Sequence, residues 1–244
     1  MKTIIVIPAR YKSSRFPGKP LIDIQGKPMI QWVAELSTKV LGIENVYIAT
    51  DNEKIAQKVK ELGYQVVITS EKCLTGTDRL AEVANQVTAD IYVNVQGDEP
   101  LVNPEDIFNV IEAKKNYPNK VIAAYAIMNQ NEDPLSVNIP KVIFNEQNEM
   151  IYMSRQVLPG YKDSINIPTN YYKQVCIYAF NRQELLSYGQ YGKKSTLEQI
   201  EDIEILRFLE WKQSIYMVKT KHNSMSVDTP EDYVKIQNFF KNSN

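Results

Sequence analysis

The sequence predicts an α/β fold, with a doubly wound, mostly parallel sheet and a smaller mixed α+β lobe. Short apolar runs alternate with helical patterns of about a dozen residues through the first 128 residues, as in parallel sheets wrapped by helices. The first run, residues 4–7, is continuously apolar and ends at Pro8, which is typical of a central parallel strand. After residue 128 the pattern changes to short strands around a polar turn, which indicates an insertion.

The first 128 residues are predicted to alternate between strands and helices, as expected for a parallel sheet. Pro28 favours a helix start, Asp51 or Asn52 can cap the second helix, and Gly63 can end it. The predicted strands are residues 4–7, 45–50, 65–69, 90–95 and 120–128. The predicted helices are residues 29–41, 53–62, 77–87 and 103–117.

The second part of the chain predicts the inserted lobe and the return to the core. Residues 141–144 and 150–153 flank a polar turn and predict a β-hairpin, and residues 171–180 predict a further strand after an irregular stretch. A helix over 198–212, a strand over 215–218 and a helix capped by Thr229 and running to residue 240 then follow. We therefore expect a core of residues 1–128 and 196–244, and an inserted sugar-binding or dimerisation lobe of residues 129–195.

Composition and charge exclude several classes of protein. Of the 244 residues, 43% are hydrophobic and 23% are charged, and the net charge is −1, which argues against a broad nucleic-acid surface. No segment approaches the ~20 apolar residues of a membrane span, and because a strand is predicted from residue 4 we expect no signal peptide. With only two cysteines and one histidine, His222, the chain fits a reducing cytoplasm and is not expected to use histidine chemistry. We therefore expect a cytoplasmic protein with neither nucleic acid nor membrane as a partner.

A basic loop follows the first predicted strand. In open α/β sheets, ligands bind beyond the carboxyl ends of the strands, so this loop stands where a ligand is expected. Its cations and open backbone N–H groups suit a polyanion such as a chain of phosphates, although an exposed basic loop is the alternative. The cations are Arg10, Lys12, Arg15 and Lys19.

Two aspartates are predicted to lie at the same edge of the sheet. Asp98 follows the strand 90–95 beside Gly97, and Asp228 precedes the last helix. Each by itself is ordinary turn or helix-start chemistry. Two carboxylates together with substrate phosphates, however, make a magnesium site. Neither a phosphate-binding P-loop nor a dinucleotide-binding glycine motif occurs in the sequence.

Six segments, in order along nearly the whole chain, closely resemble the 3-deoxy-manno-octulosonate (Kdo) cytidylyltransferases, or CMP-Kdo synthetases. They are residues 8–21, 26–30, 49–51, 75–80, 94–100 and 227–232. The resemblance implies a nucleotide-diphospho-sugar transferase-like fold and a homodimer made by the smaller lobe. It implies Mg²⁺-dependent transfer of CMP from CTP to a 2-keto-3-deoxy sugar acid, with release of pyrophosphate, for lipopolysaccharide biosynthesis.

The resemblance also implies a role for each matching residue. The nucleotide would be bound by Pro8, Ala9, Arg10, Ser14, Arg15, Lys19 and Thr75. Mg²⁺ would be held by Asp98 and Asp228, which with Arg10 and Lys19 form the catalytic set. The sugar acid would face Arg79, Gln96, Gln174, Tyr178 and Glu204, where Arg79 alternatively pairs with Asp78 or Glu82 on its own helix.

Two positions depart from the family pattern near the sugar. Gln174 and Ile205 stand where the family usually has a histidine and a glutamine. Changed hydrogen-bonding groups redirect substrate choice, so a modified Kdo such as the 8-amino sugar, or another 2-keto-3-deoxy acid, is the alternative to Kdo. A non-catalytic nucleotide-binding protein is a third possibility, and the presence of both aspartates and the basic loop speaks against it.

Overall fold

The computed structural model describes residues 1–12, 16–221 and 224–242 as a mixed α/β structure. Its strands are β1 Thr3–Ala9, β2 Asp23–Ile24, β3 Lys27–Pro28, β4 Val46–Thr50, β5 Gln65–Ile68, β6 Ile91–Val95, β7 Val121–Ile127, β8 Lys141–Phe144, β9 Met150–Ser154, β10 Tyr172–Asn181 and β11 Ile215–Lys219. Its helices are α1 Met29–Leu41, α2 Glu53–Glu61, α3 Gly76–Gln86, α4 Pro104–Asn116, α5 Arg182–Gln190, α6 Thr196–Glu201, α7 Leu206–Glu210 and α8 Pro230–Asn242.

The central sheet has the strand order β11-β7-β10-β6-β1-β4-β5, and β8 and β9 extend it as a hairpin beside β10. Every neighbouring pair along that order is parallel except the two pairs made by β10, which runs antiparallel to β6 and β7. The predicted mixed α/β fold with a mostly parallel sheet is therefore confirmed.

Helices cover both faces of this sheet, as the doubly wound prediction requires. Apolar residues of α1, α2 and α4 pack on one face, and those of α3, α5 and α7 pack on the other. Strand β1 is buried along its whole length, because it lies between β6 and β4 with helices on both sides. Its continuous apolar run is thus explained by burial on both faces.

The predicted caps form where the sequence places them. The side chain of Asn52 accepts hydrogen bonds from the backbone N–H groups of Lys54 and Ile55 at the start of α2. Thr229 and Asp232 each bind the backbone N–H of the other at the start of α8. These bonds satisfy N–H groups that have no partner within the helix.

The predicted helix over residues 198–212 is wrong. The chain forms two short helices, α6 and α7, because Asp202 adopts a left-handed conformation with φ 50° and ends α6. Ile200, which lies within the span predicted as a single helix, is 73% exposed. The helix α5 was not predicted at all, although Asn181 and Glu184 form a capping box at its start.

Strand β10 was assigned to the inserted lobe, but it lies in the central sheet between β6 and β7. An antiparallel strand that enters a parallel sheet is paired by residues far away in the chain, so local patterns do not locate it. The division into a core and a lobe of residues 129–195 stays a prediction. Among the described residues, no helix combines the length and the apolar character needed to cross a membrane.

Candidate active site

The carboxyl ends of β1 and β6 meet closely at one edge of the sheet. A Cβ atom added to Gly97, just after β6, would lie 2.9 Å from the backbone oxygen of Pro8, so only glycine fits this approach. Pro8 and Ala9, predicted to contact the nucleotide, are buried at the end of β1. The loops that carry the predicted site residues therefore leave the sheet side by side.

Lys19 joins the two predicted metal-binding aspartates. Its ammonium nitrogen lies 2.6 Å from Asp98 Oδ2 and 3.2 Å from Asp228 Oδ1. The backbone N–H of Val227 donates to the backbone oxygen of Asp98 at 2.9 Å, which fixes one loop against the other. We call Lys19, Asp98 and Asp228 the open cluster, because their side chains are 14%, 26% and 39% exposed.

The charges of the open cluster stabilise one another. Burial opposes the ammonium charge of Lys19, but the two carboxylates outweigh it and raise the pKa of Lys19. Glu99, which follows Asp98, is buried, and burial raises its pKa to about 7 although it accepts a hydrogen bond from Ser224.

The open cluster fits a magnesium ion that is completed by substrate phosphates. One cationic atom already reaches an oxygen of each aspartate, and carboxylate oxygens are the ligands that Mg²⁺ prefers. Within residues 1–12, 16–221 and 224–242, no group of three or more His, Cys, Asp or Glu side chains could hold a metal ion. Two carboxylates plus phosphate oxygens match the usual coordination of Mg²⁺ in nucleotide enzymes.

Of the cations in the basic loop, Lys19 lies in the open cluster. Arg10 and Lys12 are exposed just after β1, and Lys12 pairs with Glu71 at 2.8 Å. Ser14 and Arg15, both predicted to bind the nucleotide, lie outside the described residues.

A second polar group forms around Glu204 on the other side of Pro8. Glu204 accepts hydrogen bonds from the Gln96 amide at 3.1 Å and from the Thr77 backbone N–H at 2.9 Å. Burial raises the pKa of Glu204, and the hydrogen bond from the Thr77 backbone N–H opposes the rise. A Cβ atom on Gly76 would lie 3.0 Å from Gln96 Nε2, so the start of α3 fits closely against this pair.

Thr75, predicted to bind the nucleotide, caps α3 beside this group. Its hydroxyl accepts the Asp78 backbone N–H at 3.1 Å and donates to Asp78 Oδ2 at 2.8 Å. The structure thus brings Thr75, Gln96 and Glu204 together from three distant parts of the chain.

The remaining predicted sugar-binding residues are largely buried. Tyr178 is 1% exposed, and its hydroxyl accepts a hydrogen bond from the side-chain amide of Gln174. Ile205, the second departure from the family pattern, is 0% exposed and packs in the core, so it offers no surface to a ligand.

Arg79 is held by partners that the sequence did not suggest. It donates to Asp51 Oδ2 at 2.9 Å and to the hydroxyl of Thr69, rather than to Asp78 or Glu82. Its side chain is only 3% exposed. Arg79 therefore ties α3 to the ends of β4 and β5, and its role toward a sugar stays a prediction.

A buried ionic group beneath Thr75 and Glu204 was missed by the sequence analysis. Arg207 binds both oxygens of Glu198 at 2.7 Å and donates to Asp78 Oδ1 at 2.9 Å. We call Arg207, Glu198 and Asp78 the closed cluster. Glu198 and Arg207 both fall within the single helix predicted over 198–212, and no pattern in the sequence pointed to this cluster.

Comparison with known proteins links this geometry to an activity. Residues 4–219 match the family model described as Cytidylyltransferase. The chain is 38% identical over 245 residues to the 8-amino-3,8-dideoxy-manno-octulosonate cytidylyltransferase of Shewanella baltica, covering 97% of this chain and 98% of that protein. It is 37% identical over 236 residues to the 3-deoxy-manno-octulosonate cytidylyltransferase of Escherichia coli, covering 97% and 95%.

A solved structure agrees with these relatives. The structure of a CMP:2-keto-3-deoxy-manno-octonic acid synthetase complexed with CTP superimposes with a TM-score of 0.91, at 36% sequence identity and with 100% of both chains covered.

Proposed function

The chain belongs to the cytidylyltransferase family, and we propose that it transfers CMP from CTP to the anomeric hydroxyl of Kdo. The new bond forms between that oxygen and the α-phosphorus of CTP, and pyrophosphate leaves. The observation that carries the proposal is the open cluster, where one cationic atom contacts Asp98 and Asp228 at the sheet edge. Such a transfer needs charge neutralisation and positioning more than covalent help from the protein.

We assign the phosphates to the open cluster and the exposed Arg10. Lys19 and Arg10 would neutralise phosphate oxygens, while Asp98 and Asp228 would hold Mg²⁺, which supplies charge stabilisation to the transferring phosphoryl group. The Lys19 ammonium lies between the two carboxylates, so it would neutralise phosphate oxygens beside a Mg²⁺ ion held by Asp98 and Asp228.

We assign the sugar acid to the group around Gln96 and Glu204. Together with Gln174 and Tyr178, these side chains offer both donors and acceptors to hydroxyl groups. The start of α3 packs closely against Gln96, since a Cβ atom on Gly76 would lie 3.0 Å from Gln96 Nε2, and this close packing supports a defined position for the Gln96 amide.

The 8-amino sugar is the second candidate acceptor. Relatives named for Kdo and for its 8-amino form are almost equally similar to this chain, at 37% and 38% identity. Of the two departures from the family pattern, Gln174 contacts Tyr178, while Ile205 lies in the core. Any shift in acceptor preference is therefore expected to depend on Gln174.

A panel of acceptors tests the proposal. Purified protein with CTP and Mg²⁺ is offered Kdo, 8-amino-Kdo and other 2-keto-3-deoxy acids, and pyrophosphate release is measured. We expect Kdo to give the highest kcat/KM. A higher value with the 8-amino sugar would reassign the acceptor, and release with none of them would refute sugar-acid transfer.

We also propose a cytoplasmic homodimer joined through the predicted lobe. The supporting observation is a set of exposed apolar side chains between residues 135 and 167: Leu135, Val137, Ile151, Ile165 and Ile167. Met153, in the same part of the chain, is instead buried in the core. A monomer in light scattering at micromolar concentration would contradict the dimer.

A further inference from the structure

The hydroxyl of Tyr188, on α5, lies between the start of α3 at Thr75 and the backbone of Glu204. Its oxygen lies 3.1 Å from Glu198 Oε1 and 3.2 Å from the backbone oxygen of Glu204, and its single proton is shared between these two acceptors. It also lies 3.3 Å from the hydroxyl of Thr75 at the start of α3. One buried oxygen atom thus contacts the helix cap on one side and the Glu204 segment on the other.

Tyr188 itself is held rigidly. It is 0% exposed, and the guanidinium of Arg207 stacks 3.6 Å from the centre of its ring. Arg207 also donates to the backbone oxygen of Tyr188 at 3.1 Å. The closed cluster therefore fixes the ring, and the ring fixes the position of the hydroxyl.

Thr75 and Glu204 depend on this hydroxyl to different extents. Thr75 keeps two hydrogen bonds to Asp78 without it, at 2.8 and 3.1 Å. The backbone oxygen of Glu204, in the turn between α6 and α7, otherwise accepts only a long bond of 3.4 Å from the Arg207 N–H among the described residues. Loss of the hydroxyl would therefore loosen Glu204 more than Thr75.

We propose that Tyr188 is a positioning residue for the acceptor. Its hydroxyl holds the Glu204 backbone so that the Glu204 carboxylate faces Gln96 and the Thr77 N–H. The inference rests on the proposed function, because it assigns Glu204 to the sugar acid. In this proposal Tyr188 touches neither substrate. It acts through the backbone of Glu204, whose side chain is assigned to the sugar acid.

Tyr188→Phe tests the proposal, because it removes one oxygen atom and keeps the ring beneath Arg207. We expect the KM for the acceptor to rise about 5–10-fold, the loss of one hydrogen bond, while the KM for CTP changes by less than about twofold. Tyr92→Phe is the matched control. Tyr92 is equally buried, and among the described residues its hydroxyl bonds to the backbone of Val87 and Ala89, away from Thr75 and Glu204. We expect it to lower Tm and leave both KM values unchanged.

Hydrogen exchange supplies a readout that needs no activity. The Thr77 N–H donates to Glu204, so its exchange should quicken in Tyr188→Phe and stay as in the unmodified protein in Tyr92→Phe. Unchanged Thr77 exchange, or equal rises in both KM values, would overturn the proposal. If the unmodified protein transfers CMP to no sugar acid, the proposed function fails, and the exchange measurement still decides whether Tyr188 holds Glu204.

Discussion

The closed and open clusters contain similar charges in different surroundings. In the closed cluster the side chains of Arg207 and Glu198 are 0% exposed, and Arg207 donates to Glu198, Asp78 and the backbone of Tyr188. In the open cluster two carboxylates share one ammonium group, and 26% and 39% of their side-chain surface faces solvent.

This difference in solvent exposure distinguishes charges that stabilise the fold from charges that can bind a ligand. A buried charge is tolerated only when its partners are complete, which leaves the closed cluster no capacity for a ligand. Partly exposed carboxylates, in contrast, keep oxygen atoms accessible from solvent, as a metal ion completed by substrate phosphates requires. Substitutions in the closed cluster should therefore lower the stability of the protein, whereas substitutions in the open cluster should lower its turnover.

The largest expected effect is on stability. Arg207→Met should lower the free energy of unfolding by about 3–5 kcal/mol, because Glu198 and Asp78 would lose their buried cation. Chemical denaturation measures the change. Lys115→Met is the control, since it removes only the exposed pair of Lys115 with Glu112 and should change stability by less than about 0.5 kcal/mol. Similar losses in both variants would contradict the distinction between the clusters.

The next effect is on turnover. Asp98→Asn and Asp228→Asn should each lower kcat by about 100-fold or more at saturating Mg²⁺, with little change in Tm, because each removes a proposed metal ligand. Glu231→Gln, at an exposed position in the first turn of α8, should leave kcat unchanged. Either aspartate variant with nearly normal turnover would remove that residue from the proposed metal site.

A smaller effect concerns the cation of the open cluster. Lys19→Ala should weaken CTP binding by about tenfold and CMP binding less, because CMP lacks the distal phosphates. Titration calorimetry with both nucleotides measures this. Lys12→Ala provides a control from the same loop, where the lysine pairs with Glu71 at the surface. Equal losses for CTP and CMP would place Lys19 away from the distal phosphates.

The smallest effect is on acceptor choice. Gln174→His should raise kcat/KM for Kdo relative to the 8-amino sugar by about 2–5-fold, because it restores the side chain usual in the family at a position that contacts Tyr178. Gln183→His, on the exposed side of α5, should leave the ratio unchanged. An unchanged ratio in Gln174→His would mean that this departure is neutral for specificity.

Much of the fold was predictable because its determinants are local. The buried run at β1 and the caps at Asn52 and Thr229 depend on neighbouring residues, so strand and helix positions followed from the pattern. The break at Asp202 and the antiparallel entry of β10 were not predictable, because each is stabilised by partners distant in the sequence.

The candidate site likewise combines features that the sequence predicted with features that only the structure shows. The sequence alone determined the residue types: cations after the first strand, an aspartate after β6 and another before the last helix. Only the tertiary structure decided that Lys19 lies between those aspartates, that Ile205 is core, and that Arg79 binds Asp51. The physical reason is the sequence separation over which each interaction acts. Helix caps and strand periodicity depend on a few neighbouring residues. Asp98 and Asp228 meet one ammonium group only after the sheet has brought their loops to one edge.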